Sequence, residues 1–376
     1  MKKKSINKLK KLSIISVVLL SISSIILYLY KIYQNIEISK ENYRVERVYS
    51  TTEAQTVENI EKNSIKIADV IENVTRKVVG ISKLKNTGSS IFSRSTESEL
   101  GLGTGFIVSE DGYIVSNEHV TGSKYSQCYV TLENGNNYQA NVIWSDSDLD
   151  LSIIKINAKN LEYIKLGDSN KIRVGEAVYA IGNPIGHEFQ RTVTKGIVSG
   201  INRTIKIVEN EKEMYMEDLI QTDATINEGN SGGALINEVG ELLGINTIKI
   251  TDAEGIGFAI PINVIKPVLE KLIKFKEIQE VSLGIHAFDK EVIPYLNSGL
   301  KFESGIYVVS IDDNSVLKDK LIVGDIIESI DTKNINKMNE LRNILWSKNP
   351  GDKVVLKVKR NSEIFDIEVE LKSKTY

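Results

Sequence analysis

A chain of 376 residues has room for two ordinary domains with segments to spare, and 41% hydrophobic residues with only 5 prolines mark a folded protein rather than a low-complexity one. The single cysteine, Cys128, excludes an intramolecular disulfide framework and a thiolate zinc site, and His119, His187 and His286 lack metal-ligand spacing. Six lysines and no acid in residues 1–11 mean that the net charge of -3 leaves -9 on the rest, which argues against nucleic acid as a partner.

Leu12 to Tyr30 run for 19 residues without a charge, close to the roughly 20 that span a bilayer as a helix. Tyr28 and Tyr30 suit the interface, and the preceding lysines place residues 1–11 in the cytoplasm and everything after the span outside. A cleaved signal peptide has a shorter apolar core and a small-residue cleavage site, neither of which is present. With no cysteine nearby there is no lipid attachment. The reading is an uncleaved single-pass anchor over 12–30, in preference to a buried helix of a soluble protein. Residues 31–64 are polar, lack Gly and Pro, and read as a spacer.

From Ile65 to Val74 the apolar spacing predicts a short amphipathic helix, and Val78 to Ile81 begin a β pattern. Lys85 to Glu97 read as an exposed Ser-rich loop. From Gly103 onward short strands alternate with turn signals at Glu110-Asp111-Gly112, Asn134-Gly135-Asn136 and Asn183-Pro184, a pattern of β-barrels or sandwiches. Near residue 262 the period becomes helical through Val264, Ile265, Val268, Leu269, Leu272 and Ile273, closing the first domain. The last hundred residues predict a small α+β unit, with strands over Gly305–Ile311, Lys353–Val358 and Ile364–Leu371 and a helix from Lys337 to Trp346.

Gly229-Asn230-Ser231-Gly232-Gly233 is the sharpest local signal, because a serine between glycines can sit on a tight turn with backbone N–H groups beside its hydroxyl. The same five residues fit the nucleophile elbow of α/β-hydrolases, but that fold requires a helix after the serine, with the acid and histidine later in the chain. Here a hairpin follows Ser231, and the one later histidine, His286, lies across the domain boundary. Upstream, His119 closes the strand pattern of Tyr113 to Val115, and Asp150 opens the alternating strand Leu151 to Ile156. Taken singly, each is equally well a packed or turn residue.

Together, three blocks resemble the HtrA/Deg family of exported serine proteases: Gly103–Val108 with Asp111–Val120, Asp146–Ile156, and Gln221–Leu235. Gly182–Gly186, Val193–Ser199 and Gly255–Pro261 fit as well. Glu118, Glu228 and Ala234 depart from the family pattern without removing a catalytic group. Glu118, next to the histidine, bears on the pH dependence of activity.

The resemblance implies a mostly β fold: a trypsin-like double six-stranded β-barrel protease over 65–275 and an α+β PDZ domain over 280–376, behind the transmembrane helix. It implies a triad of His119, Asp150 and Ser231, an oxyanion hole from the N–H groups of Gly229 and Ser231, and no metal or organic cofactor. Asp146 and Asp148 are left as solvated turn residues. Loops around 187–192, 226–230 and 249–256 are expected to switch between inactive and active arrangements, with His187 solvated in one of them, and the specificity pocket to be small and apolar.

In the last domain Ser282-Leu283-Gly284-Ile285 resembles the carboxylate-binding loop of a PDZ domain, while Leu341 and Leu345 fit either groove or core. The expected partners are unfolded exported polypeptides, peptide C-termini, the membrane and two further copies of the chain in a trimer. A chaperone or peptide-binding scaffold with an idle protease fold is the competing function.

Overall fold

Strands rich in β-branched residues with glycines at their corners close into two barrels. The computed structural model describes residues 23–34, 66–84, 100–183, 192–209, 212–227, 229–249, 255–296 and 299–374. Residues 65–376 form one compact unit and 1–64 another. In the latter, residues 23–34 are helical, which covers the end of the expected membrane span; residues 12–22 lie outside the described residues. Among the described residues no helix is long and apolar enough to cross a membrane. The Ser-rich segment 85–97 and His187 likewise lie outside them.

Helix α1 (Ile67–Thr75) leads into β1 (Val78–Leu84), β2 (Leu100–Ile107), β3 (Tyr113–Ser116), β4 (Gln127–Thr131), β5 (Asn137–Asp146) and β6 (Leu151–Ile156). They close in the order β1-β2-β3-β6-β5-β4, with β4 returning to pair with β1. The second barrel joins β7 (Ala177–Gly182), β8 (Thr192–Glu209), β9 (Lys212–Thr222), β10 (Ala234–Ile236), β11 (Leu242–Lys249) and β12 (Gly257–Pro261) in the order β10-β11-β12-β9-β8-β7.

Strand β6 shows why the barrels sit together. Its period of two sends Ile154 and Ile156 into the first barrel and Leu151 and Ile153 into the seam, where they join Phe106, Tyr179 and Ile245 in one buried cluster. Both faces of the strand are covered, so the seam is a core in its own right.

Helix α3 (Lys266–Phe275), following the single helical turn α2 (Glu118–Thr121), buries Val268, Leu269 and Leu272 on the seam cluster and ends at Lys276 in the left-handed conformation. The last domain then builds a sheet from β14 (Ile285–Phe288), β15 (Ile306–Ile311), β16 (Ile326–Ile330), β18 (Lys353–Arg360) and β19 (Glu363–Glu370), with β17 (Lys333–Asn334) on β16. Strands β13 (Val281–Ser282) and β20 (Lys372–Ser373) pair separately, and helix α4 spans Met338–Ser347.

Helix α4 serves two cores. Leu341 is buried among Val281, Ile306 and Leu356 of its own domain with Leu345 packed beside it, so both belong to the core. On the other side Trp346 joins the seam cluster of the barrels. Lys337 and Asn339 reach Asp218 of β9, and Arg342 stands 3.9 Å from Glu217. The two domains are therefore docked.

Candidate active site

The expected site residues come from three separated segments that the two barrels bring together. His119 is not at the end of a strand, as its sequence pattern suggested; it lies on α2, because β3 ends at Ser116 and Asn117 stays extended before one helical turn. Its ring Nδ1 is 2.9 Å and 2.8 Å from the two carboxylate oxygens of Asp150, and its backbone N–H donates to Oδ1 at 3.0 Å. With Nδ1–H directed at the carboxylate, Nε2 is the ring nitrogen that carries the lone pair.

Asp150 precedes β6 rather than opening it, with φ of 53°, a left-handed conformation that Asp tolerates better than most residues. Asn117 secures this turn by donating from Nδ2 to the Asp150 carbonyl at 2.8 Å. The acid keeps 17% side-chain exposure against 52% for the histidine. Asp146 accepts from the N–H of Leu149 and so caps its own turn.

Ser231 occupies a turn between Gly229 and Gly232, both at positive φ, and its hydroxyl donates to the carbonyl of Thr247 at 3.2 Å. Thr247 donates its own hydroxyl to Asp150 Oδ2 at 2.8 Å. One residue of β11 thus touches both the serine and the acid. Only a glycine fits at 232, since a Cβ there would stand 2.2 Å from the Thr104 carbonyl oxygen.

Of the expected oxyanion donors, the Ser231 N–H is oriented by its neighbours. Asn230 C=O accepts from Gly233 N–H at 3.0 Å, and planarity of the peptide turns the Ser231 N–H the opposite way. Among the described residues neither the Gly229 nor the Ser231 N–H donates to a backbone carbonyl. Asn230 is buried and ties the approach to the serine, donating to Thr225 C=O and accepting from Asn227 N–H.

Thr247, Asn117, Asn230 and Thr104 were not singled out by sequence. Their one sequence-level signal is a hydrogen-bonding side chain within or beside an otherwise apolar or Gly-rich run, and their partners are distant along the chain.

In the last domain Gly284 has φ of 65°, and its N–H donates to Ser282 Oγ at 2.9 Å. Ser315 and Asp312 hold the Leu283 and Gly284 carbonyls. Leu283 points into the core, whereas β14 lies at the edge of its sheet, so backbone rather than side chain is what this loop can offer a peptide.

Two six-stranded barrels with a Ser, His and Asp gathered at their seam define a trypsin-like serine peptidase. Residues 103–245 match the Trypsin-like peptidase domain family, and residues 269–371 match the PDZ domain family. The chain is 37% identical over 334 residues to Serine protease Do-like HtrA of Bacillus subtilis (strain 168), covering 83% of this chain and 74% of that one. It is 37% identical over 281 residues to the Periplasmic pH-dependent serine endoprotease DegQ of Escherichia coli (strain K12), covering 73% of this chain and 60% of the relative. Among solved structures, the HtrA-type protease AlgW with tripeptide superposes with a TM-score of 0.62 at 32% identity, covering 83% of this chain and 98% of that one. The chain belongs to the HtrA family of serine proteases, and it is a serine endopeptidase with a PDZ domain.

Proposed function

We propose that Ser231 is the nucleophile, His119 the general base and acid, and Asp150 the group that fixes the imidazole tautomer and stabilises the imidazolium. The observation that carries this reading is that Thr247 accepts the Ser231 hydroxyl on its carbonyl and donates its own hydroxyl to Asp150, which in turn holds the His119 ring. The Ser231 proton, held on the Thr247 carbonyl in this structure, is the one His119 removes as Oγ attacks the peptide carbonyl. His119 then delivers it to the leaving amine. The carbonyl oxygen becomes an oxyanion between the N–H groups of Gly229 and Ser231, where each such donor is worth about 10² to 10³ in rate. Water repeats the sequence on the acyl-enzyme.

The substrates in this reading are unfolded exported polypeptides, and the loop Ser282-Leu283-Gly284-Ile285 with the β14 edge takes peptide C-termini. Residues 12–30 anchor the chain, 31–64 lift the protease (65–275) and PDZ domain (280–376) outside the membrane, and three copies assemble. The 19-residue uncharged run supports the anchor, and the periplasmic relative supports the location. Hydrolysis of unfolded casein by the full chain beside Ser231→Ala tests the proposal. Loss of cleavage in the variant is expected; cleavage that survives would remove Ser231 from the mechanism.

A further inference from the structure

Thr104 is fully buried, and every hydrogen-bonding group it has is used at the junction of the barrels. It belongs to β2 of the first barrel. Its N–H donates to the Ser231 carbonyl at 3.0 Å, and its carbonyl accepts from Ser116 Oγ at 2.6 Å. Its hydroxyl donates to the Gly229 carbonyl at 2.5 Å and accepts from the N–H of Asn183, at the end of β7, at 2.6 Å. A hydroxyl has one proton to give, and here it goes to the residue two before the serine.

The two carbonyls Thr104 grips, Gly229 and Ser231, lie on the peptide units on either side of the one that carries the Ser231 N–H, and the Gly229 carbonyl belongs to the same residue as the other expected donor. Fixing the carbonyl of Gly229 fixes the plane of the peptide joining it to Asn230, whose N–H donates to Asn227 C=O on the other side. The Asn230 carbonyl is held by Gly233. Each peptide plane from Gly229 to Ser231 is thereby set by a named partner. Close packing reinforces this, since a Cβ at Gly182 would run into Asn230 Cβ at 2.2 Å.

We infer that Thr104 is a positioning residue for the oxyanion hole, its hydroxyl pinning the Gly229–Ser231 loop of the second barrel from the first. This rests on the reading of Ser231 as nucleophile and of Gly229 and Ser231 as oxyanion donors. The hydroxyl touches no reacting atom. What it supplies is pre-organisation, which matters because donors that must reorient during the reaction lose most of their benefit.

The test compares Thr104→Val, of nearly the same shape without the hydroxyl, with Thr104→Ser, which keeps it, using the full chain, a fluorogenic peptide and a peptide boronic acid whose tetrahedral adduct places an oxygen in the hole. The account predicts that Thr104→Val loses about 10²-fold in kcat and a comparable factor in boronate affinity, with KM little changed, while Thr104→Ser remains near wild type. Should Thr104→Val be recovered unfolded, Thr104→Ala, which also removes the hydroxyl, carries the same expectation.

Unchanged kcat in the folded variant would overturn the assignment. So would a loss confined to KM, or Thr104→Ser as impaired as Thr104→Val, which would signal packing alone. Ser231→Ala run in parallel separates the two claims. If it is inactive while Thr104→Val is not, the clamp alone fails; if it stays active, the nucleophile reading and the clamp fail together.

Discussion

Trp346 of helix α4 stands edge-on against Trp144 of the first barrel, ring centroids 5.5 Å apart and planes at 89°. These are the chain's two tryptophans, and their contact joins the PDZ domain to the protease core. Glu280, at the start of the last domain, lies 3.8 Å from both Lys124 and Lys374, so the contact is continued by charged groups.

Truncation of the aromatic anchor removes a well-packed ring and opens a cavity at the seam. Buried Trp→Ala changes cost about 3–5 kcal/mol. Trp346→Ala is expected to lower the thermal midpoint and to expose the segment between α3 and β13 to limited proteolysis. A variant with unchanged melting and cleavage pattern would show that the contact contributes little to docking.

The docked face is also sensitive to protons. Burial, with Asp289 and Asp218 nearby, pushes the Glu217 carboxyl up to about 8 against the opposing pull of Arg342, and burial raises Asp289 in the same direction. A carboxyl raised in the folded state is protonated there at pH values where the unfolded chain has already ionised. The stability that Glu217 contributes is therefore fully present below about 4.5 and is lost as pH rises through about 8. Glu217→Gln should flatten the fall in thermal midpoint between pH 6 and pH 9. An unaltered pH profile in the variant would show that Glu217 is ionised in the folded protein.

Thr247 offers a test of the serine-to-acid link. Its buried hydroxyl donates to a carboxylate, an interaction worth about 1.5–3 kcal/mol, so Thr247→Val should lower kcat by roughly tenfold or more with KM preserved. Wild-type turnover in a folded Thr247→Val protein would leave Asp150 oriented by His119 and Asn117 alone.

Gly284 carries the peptide-binding expectation. A side chain there would be strained at φ of 65° and would stand 2.9 Å from Ser315 Cα. Gly284→Val should abolish calorimetric binding of a peptide with a free C-terminus. It should leave the active-site serine reactive, because the loop lies outside the barrels. Retained affinity would place peptide recognition elsewhere on the domain.

Much of this architecture was written locally. The apolar run of β3, the alternation of β6 and β18, the hairpin after Ser231 and the helical spacing of α3 and α4 follow from neighbouring residues, and the structure contains each. The shared Gly-Ser, His and Asp blocks pointed to one site in the same way. What stayed hidden depends on contacts across long stretches of chain. Thr104 meets Gly229 and Thr247 meets Asp150 only after both barrels close. Trp346 reads as one more apolar position on a helix, and nothing beside it in sequence says that it leaves its own domain for Trp144. The turn carrying His119 was misplaced onto a strand because Val115 and Val120 continue the apolar pattern across Asn117, whose extended backbone starts α2.

The most direct measurement is covalent labelling of the full chain with a fluorophosphonate, followed by mapping of the modified peptide. The account predicts a single adduct on Ser231 that disappears in His119→Ala as well as in Ser231→Ala, since the hydroxyl is activated only with its base in place. An adduct on another residue, or undiminished labelling of Ser231 in His119→Ala, would contradict the triad.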